Sequence, residues 1–193
     1  MTAVESTMLA LGTAAPSFQL PDAIGEIRSL ESIAEGADAV VVAFICNHCP
    51  YVKLIADRFA SLADELIAKR VAVVAINSND ADSYPDDAPE VMAEEVELRG
   101  YRFPYLYDES QQVALSYRAA CTPDFYVFDR ELQLTYRGRF DAARPGNGEV
   151  VTGADLREAV EAALAGQPPI ANQLPSIGCN IKWRPGVSPE WFS

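Results

Sequence analysis

Residues 40–53 read VVVAFICNHCPYVK, and the fold turns on how this stretch is parsed. Its left half belongs to a continuous apolar run, 39–45, rich in Val. A strand with one wet face alternates apolar and polar residues, whereas an unbroken run suits a strand buried on both faces. To the right the period changes. Val52, Ile55, Phe59, Leu62 and Leu66 recur at spacings of three and four, while Lys53, Asp57, Arg58, Asp64, Glu65 and Lys69 take the other side. That pattern predicts an amphipathic helix over 50–70. Between strand and helix stand Cys46 and Cys49, with Pro50 immediately after.

Working outward, VAVVAIN (71–77) is a second buried strand. Strand, helix and strand then form a unit that suits a parallel crossover. SNDADSYPDDAP (78–89) is an acidic loop. Asp80, Asp82, Asp86, Asp87 and Glu90 lack the central Gly and final Glu of a calcium loop, so they read as solvated. A helix follows over 89–99, closed by Gly100. FPYLYD (103–108) is a short strand and ESQQVALSYR (109–118) a short helix. DFYVFD (124–129) and LQLTYRGRF (132–140) form a hairpin, with Arg137 and Arg139 expected on its exposed face. Thr152 and Asp155 have the spacing of a capping box, ahead of a helix with Leu156, Val160 and Leu164 as its apolar stripe. Near the N-terminus, Pro16, Pro21 and Gly25 punctuate short strands and a hairpin. The tail, 168–193, is rich in Pro and Gly but carries Trp183, Trp191 and Phe192. Those apolar groups predict a tail packed on a single domain spanning 1–193. The order predicts an α/β fold with helices on both faces of the sheet.

The chain has 193 residues, 15 of them basic and 28 acidic, for a net charge of -13. An acidic surface argues against nucleic acid and against anionic membranes as partners. No run of 18 apolar residues occurs, so no helix is expected to span a bilayer. MTAVESTMLALGTAAPSF (1–18) has no Lys or Arg before its broken apolar stretch and does not read as a secretory signal. The expectation is a cytoplasmic protein with reduced thiols, where two cysteines at this spacing act in catalysis or metal binding more often than as a staple.

At this point the residues carry a resemblance. LGTAAPSFQLPDAIGEIRSL (11–30) resembles the opening segment of redoxins, the AhpC/TSA-like branch of the thioredoxin superfamily. The strand running into cysteines at a helix start resembles the thioredoxin active site. CTPDFYVFD (121–129) resembles the superfamily loop whose Pro is cis, followed by its hairpin. FICNHCPYVK, YPDD, YRGRFD and IGCNIKW are similar to segments of an uncharacterised peroxiredoxin-like group. The resemblance implies a thioredoxin-like fold, a central mixed β-sheet flanked by helices, with an N-terminal β extension and a C-terminal tail. It implies no cofactor. Its substrate would be a disulfide-bearing protein or a small thiol or disulfide, with an electron donor the sequence does not identify. It also implies a cis Thr122–Pro123 bond beside the nucleophile, with the Thr122 backbone free to pair with a substrate strand.

Two registers assign the cysteines. Overlaid on thioredoxin C-G-P-C, the segment makes Cys46 the nucleophile, Cys49 the resolving thiol, and His48 the match to the His of periplasmic thiol oxidases. Set instead by the strand, the register puts Cys49 on the nucleophile and Val52 on the resolving position, with Cys46 upstream. Helix physics favours the second. Pro is welcome at the first helical position and disruptive deeper in. A helix starting at Pro50 makes Cys49 its N-cap, facing free N–H groups and the positive end of the helix dipole. Thiolates so placed have their pKa lowered from about 8.5 into roughly the 3.5–7.5 range.

His48, the only His, either stabilises a thiolate or lies in a solvated loop. Cys121, beside Thr122, is either a further redox thiol or a small buried hydrophobe. Cys179, in the tail, could resolve a disulfide if the tail folds over the site. Two further functions compete with thiol–disulfide exchange. Peroxiredoxins read P-x-x-x-T-x-x-C, but the Thr place holds Cys46 when counted from Cys49 and Ala43 when counted from Cys46. Cys46, His48 and Cys49 would suit Cu(I) or Zn, with Cys121 or Cys179 as a fourth ligand.

Overall fold

The structure is a computed structural model and describes residues 3–192, the side chain of Phe192 excepted. In chain order it contains β1 (Ala3–Glu5), β2 (Gln19–Pro21), β3 (Ile27–Ser29), α1 (Leu30–Ala34) and β4 (Ala39–Phe44). There follow α2 (Pro50–Ile67), β5 (Val71–Asn77), α3 (Pro89–Arg99), β6 (Tyr105–Tyr107) and α4 (Gln112–Tyr117). The last elements are β7 (Cys121–Thr122), β8 (Asp124–Phe128), β9 (Leu134–Gly138), α5 (Ala154–Leu164) and β10 (Ile177–Asn180).

Among the described residues the main sheet runs β6–β5–β4–β8–β9. β4 lies at its centre, parallel to β5 with Val41 opposite Val73, and antiparallel to β8 with Val42 opposite Tyr126. Its lack of alternation has the expected cause. Ala39, Val41 and Ala43 face a core built with Phe59, Leu62 and Leu66 of α2 and Leu156 and Val160 of α5. Val40, Val42 and Phe44 face a second core with Leu30, Tyr117, Tyr126 and Phe128. Each large apolar side chain so buried contributes about 1.5–3 kcal/mol. The sheet is mixed and has helices on both faces, as the sequence predicts.

α2 begins at Pro50 with Cys49 as its N-cap in an extended conformation. The first helical hydrogen bond runs from Lys53 N–H to the Cys49 carbonyl, 2.9 Å. The helix stops at Ile67, short of residue 70, because Arg70 adopts a left-handed φ of 64° to turn the chain into β5. Gly100, with φ 66°, closes α3 as expected.

Three local expectations fail. The Thr152–Asp155 capping box does not form, because Asp155 is spent on Arg139 at 2.5 Å. The start of α5 is held instead by Asp141, whose Oδ2 accepts the N–H groups of Thr152 (2.6 Å) and Gly153 (2.7 Å). Nor is Arg137 a solvated strand residue: its guanidinium donates to the Leu9 carbonyl at 2.7 Å and to Gln173 Oε1 at 2.5 Å. Arg139, paired with Asp155, is likewise half-buried.

In the tail, β10 pairs antiparallel with both β1 and β7. Trp183 packs on the second core, and Trp191 meets Trp183 edge to face at 6.2 Å. The expectation for the Phe192 side chain falls outside the described residues. No helix among the described residues is long and apolar enough to cross a membrane.

Candidate active site

The end of β4 and the start of α2 bring Cys46 and Cys49 together beneath Thr122. Cys46 Sγ lies 3.2 Å from Thr122 Oγ1, and Cys49 Sγ lies 3.2 Å from the Thr122 carbonyl. One residue of β7 therefore touches both sulfurs, its side chain on one and its backbone on the other. Cys49 is 0% exposed and Cys46 1%. All four cysteines are buried and reduced.

Cys49 is the ionisable thiol of the group. The Cys46 thiol donates to its sulfur, which favours the thiolate most strongly. Burial opposes ionisation, but the Cys179 thiol and the backbone N–H groups of Val52 and Cys179 add further donors. The result is a pKa lowered to about 5. The Val52 N–H is one of the amides that the first turn of a helix leaves without a partner, so the N-cap position supplies part of the effect. The Thr122 carbonyl accepts only from the thiol form and works against the thiolate. Cys46 behaves oppositely. Burial, its hydrogen bond to Cys49 and the nearby Asp87 charge all push its thiol well up, against a smaller lowering by Thr122.

The acidic loop is the main correction to the sequence reading. Asp87, expected in solvent, is 0% exposed. Its carboxylate accepts from the Asn47 N–H (2.8 Å) and Asn79 Nδ2 (2.7 Å), and it pairs with His48 Nδ1 at 2.6 Å. Burial raises its pKa, but the bonds from His48, Asn79 and Asn47 outweigh burial and leave it below the ordinary value. Asp80 is buried too, capping the turn through Ser83 at 2.7 Å. His48 is half-buried rather than solvated, turning its Nδ1 to Asp87 and stacking on Tyr84 with ring centroids 5.7 Å apart. The loop 78–87 thus grips the loop 46–49 through Asp87, and Asn47 is tied in by Tyr105 at 3.0 Å. Asn47, Asn79 and Tyr105 were not singled out from the sequence, and Asp87 was read there only as a solvated loop acid. The nearest signal was the density of Asx residues, which says turn and not site.

The Thr122–Pro123 peptide is cis. Cys121 points the other way from Thr122, as neighbours on a strand must. It is 0% exposed, with its thiol 3.8 Å from the Pro123 carbonyl and its pKa pushed well up by burial. Cys179 does reach the site, since its thiol donates to Cys49. Of the residues expected there, Cys46, Cys49, Pro50, Thr122, Pro123 and Cys179 converge, His48 sits one layer out, and Cys121 faces the interior.

Cys46, His48 and Asp87 also have ligand atoms within 4.8 Å of one another, a set that could hold a borderline cation. The donors are partly committed, because the short His48–Asp87 bond takes one atom from each.

Comparison with known proteins bears on this arrangement. The model of the AhpC/TSA family matches residues 11–137. A search of curated proteins found no match. An uncharacterized conserved protein from Geobacillus kaustophilus is 53% identical, with a TM-score of 0.93 over 96% of this chain and 98% of that one. Peroxidoxin BcpB from Mycobacterium tuberculosis is 22% identical, with a TM-score of 0.61 over 81% of this chain and 96% of that one. A thiol:disulfide interchange protein of the thioredoxin family from Chlorobium tepidum TLS is 19% identical, with a TM-score of 0.60 over 80% and 98%. The last two likenesses show the thioredoxin-like fold.

Proposed function

The chain belongs to the AhpC/TSA family, and from that premise we propose that it is a thiol–disulfide oxidoreductase in which Cys49 attacks. The observation that carries this reading is the place of Cys49 at the N-cap of α2, its sulfur 3.2 Å from the Thr122 carbonyl of the cis-Pro loop, where hydrogen bonding to Cys46 foremost lowers its pKa to about 5. Such a sulfur is ionised at neutral pH, and the thiolate is the attacking species. It attacks one sulfur of a substrate disulfide, forming a mixed disulfide and expelling the other sulfur as a thiolate. A neighbouring thiol then attacks Cys49 Sγ, closes an internal disulfide and releases the second substrate thiolate. An external electron donor reopens the internal bond. Substrates are a disulfide-bearing protein or a small disulfide.

Peroxide reduction ranks second. It needs donors aimed at the peroxide oxygens, and the Thr122 hydroxyl is engaged with Cys46 while its carbonyl faces Cys49. Cation binding ranks third, because the Cys46–His48–Asp87 set is partly committed to its internal bond.

The test is reduction of a chromogenic disulfide by wild type and by Cys49→Ser. The variant is expected to fall to the background of unstructured thiols. Full activity in the variant would end this reading. Faster thiol oxidation by peroxide than by disulfide, followed by stopped flow, would put the peroxidase reading first.

A further inference from the structure

Strand addition at Thr122 is how a substrate chain is expected to dock, and the strand already lying there is β10. Cys179 stands directly opposite Thr122 in the pairing. Cys49 Sγ lies 3.2 Å from the carbonyl of that same Thr122, so the register sets Cys179 beside the attacking sulfur, and hydrogen bonding to Cys179 helps lower the Cys49 pKa. The approach is close enough to need Gly178: a Cβ there would collide with the Thr122 carbonyl. Hydrogen bonds on either side fix the register. Ile181 N–H donates to the Ala120 carbonyl at 3.0 Å, and Ser6 N–H to the Ser176 carbonyl at 3.0 Å. Further along, Lys182 N–H donates to Asn79 Oδ1 at 2.8 Å, which joins the tail to the loop that holds Asp87.

We propose that β10 is an internal substrate strand, and that Cys179, rather than Cys46, is the thiol with which Cys49 closes its disulfide. The proposal rests on the reading of Cys49 as the nucleophile.

Charge separates the two candidate partners. Cys46 faces the buried Asp87 carboxylate, which opposes its ionisation at every stage. Cys179 lies near the Lys182 ammonium, which favours ionisation. What holds the Cys179 thiol up is burial first, then its hydrogen bond to Cys49 and the Cys49 charge. Both contributions from Cys49 disappear once Cys49 is tied in a mixed disulfide, because its sulfur is then neutral. Cys179 is thereby released to ionise at the moment a resolving thiolate is needed. Cys46 remains the donor that keeps Cys49 ionised beforehand.

Written out for glutathione disulfide as the substrate, the Cys49 thiolate attacks one sulfur and breaks the substrate S–S bond. One glutathione leaves as thiolate, and Cys49 carries the other. Cys179 gives up its proton, attacks Cys49 Sγ and expels the second glutathione thiolate, which takes up that proton. Two protein thiols have lost two electrons in all, and the substrate disulfide has gained them as two glutathione thiols.

The experiment exposes wild type, Cys46→Ser and Cys179→Ser to glutathione disulfide, followed by acid quench and non-reducing peptide mapping by mass spectrometry. Wild type is expected to yield a Cys49–Cys179 linkage. Cys46→Ser is expected to close the same linkage and retain no glutathione. Cys179→Ser is expected to accumulate glutathione on Cys49. A Cys46–Cys49 linkage in wild type, with glutathione persisting on Cys49 in Cys46→Ser, would overturn the proposal and leave the functional reading standing. Absence of glutathione from Cys49 in all three proteins, with no linkage formed, would overturn both.

Discussion

At Cys49 the thiolate is stabilised by thiols and amides, with no cation among its strongest partners. That arrangement makes its acidity depend on neighbours that are themselves replaceable. A hydrogen bond to a charged group contributes about 1.5–3 kcal/mol, which is about one to two pH units in the acid. Thiolate absorbance near 240 nm should therefore titrate near pH 5 in wild type, and that step should vanish in Cys49→Ser. In Cys46→Ala, the midpoint should rise by about one to two units, since the largest stabilising donor is gone. A midpoint that does not move would mean that Cys46 does not hold the charge. The position of Cys49 was legible in the sequence, because Pro50 admits only one comfortable place in a helix. The donors were not legible. Cys179 reaches Cys49 from far along the chain, and nothing in SIGCNIKW (176–183) announces that contact beyond the cysteine itself.

β10 is the element whose role the sequence showed least. It covers only Ile177–Asn180, its partners β1 and β7 are as short or shorter, and none of them has enough residues to display alternation. β4 and α2 were readable because each carries its own period over many residues. The loop 78–87 was misread for a related reason. A carboxylate is normally exposed unless paired, and the partners of Asp87 come from two separate segments, the loops holding Asn47–His48 and Asn79. The lid-like placement of β10 has a direct test in Gly178→Ala. Its new methyl collides with the Thr122 carbonyl and must push β10 off β7. Overpacking of this kind destabilises by about 1–3 kcal/mol. Under native conditions, alkylation of Cys49 should be faster in this variant than in wild type, where the residue is 0% exposed. Unchanged alkylation would mean that β10 does not cover the sulfur.

At the scale of the whole molecule, two buried acids give opposing pH dependences. Burial raises Asp124 to about 7, against smaller lowering by Ser6 and Tyr126. Its folded pKa lies above its unfolded value of about 3.9, so its contribution is full below about pH 4 and is lost as pH rises through 7. Cys49 is depressed, so its contribution is full above its unfolded pKa of about 8.5 and is lost as pH falls through about 5. Between pH 5 and 7 the two slopes, each about 1.4 kcal/mol per pH unit, offset one another. Urea unfolding of Cys49→Ser should therefore show stability falling with pH across that window relative to wild type, and Asp124→Asn should show it rising. Parallel profiles for all three proteins would contradict the assignment of these two groups. The parallel pairing of β4 with β5 and the helices on both faces followed from the strand–helix–strand pattern, whereas the Ser6–Asp124 bond at 2.9 Å joins segments that no local pattern connects. The claim on which the account depends is that Cys49 attacks. Its most direct measurement uses the double variant Cys46→Ser/Cys179→Ser, in which a mixed disulfide on Cys49 has neither neighbouring thiol to resolve it. After reaction with one equivalent of glutathione disulfide, peptide mass mapping should place the glutathione on Cys49. Glutathione on Cys121 instead, or on neither cysteine, would contradict the account.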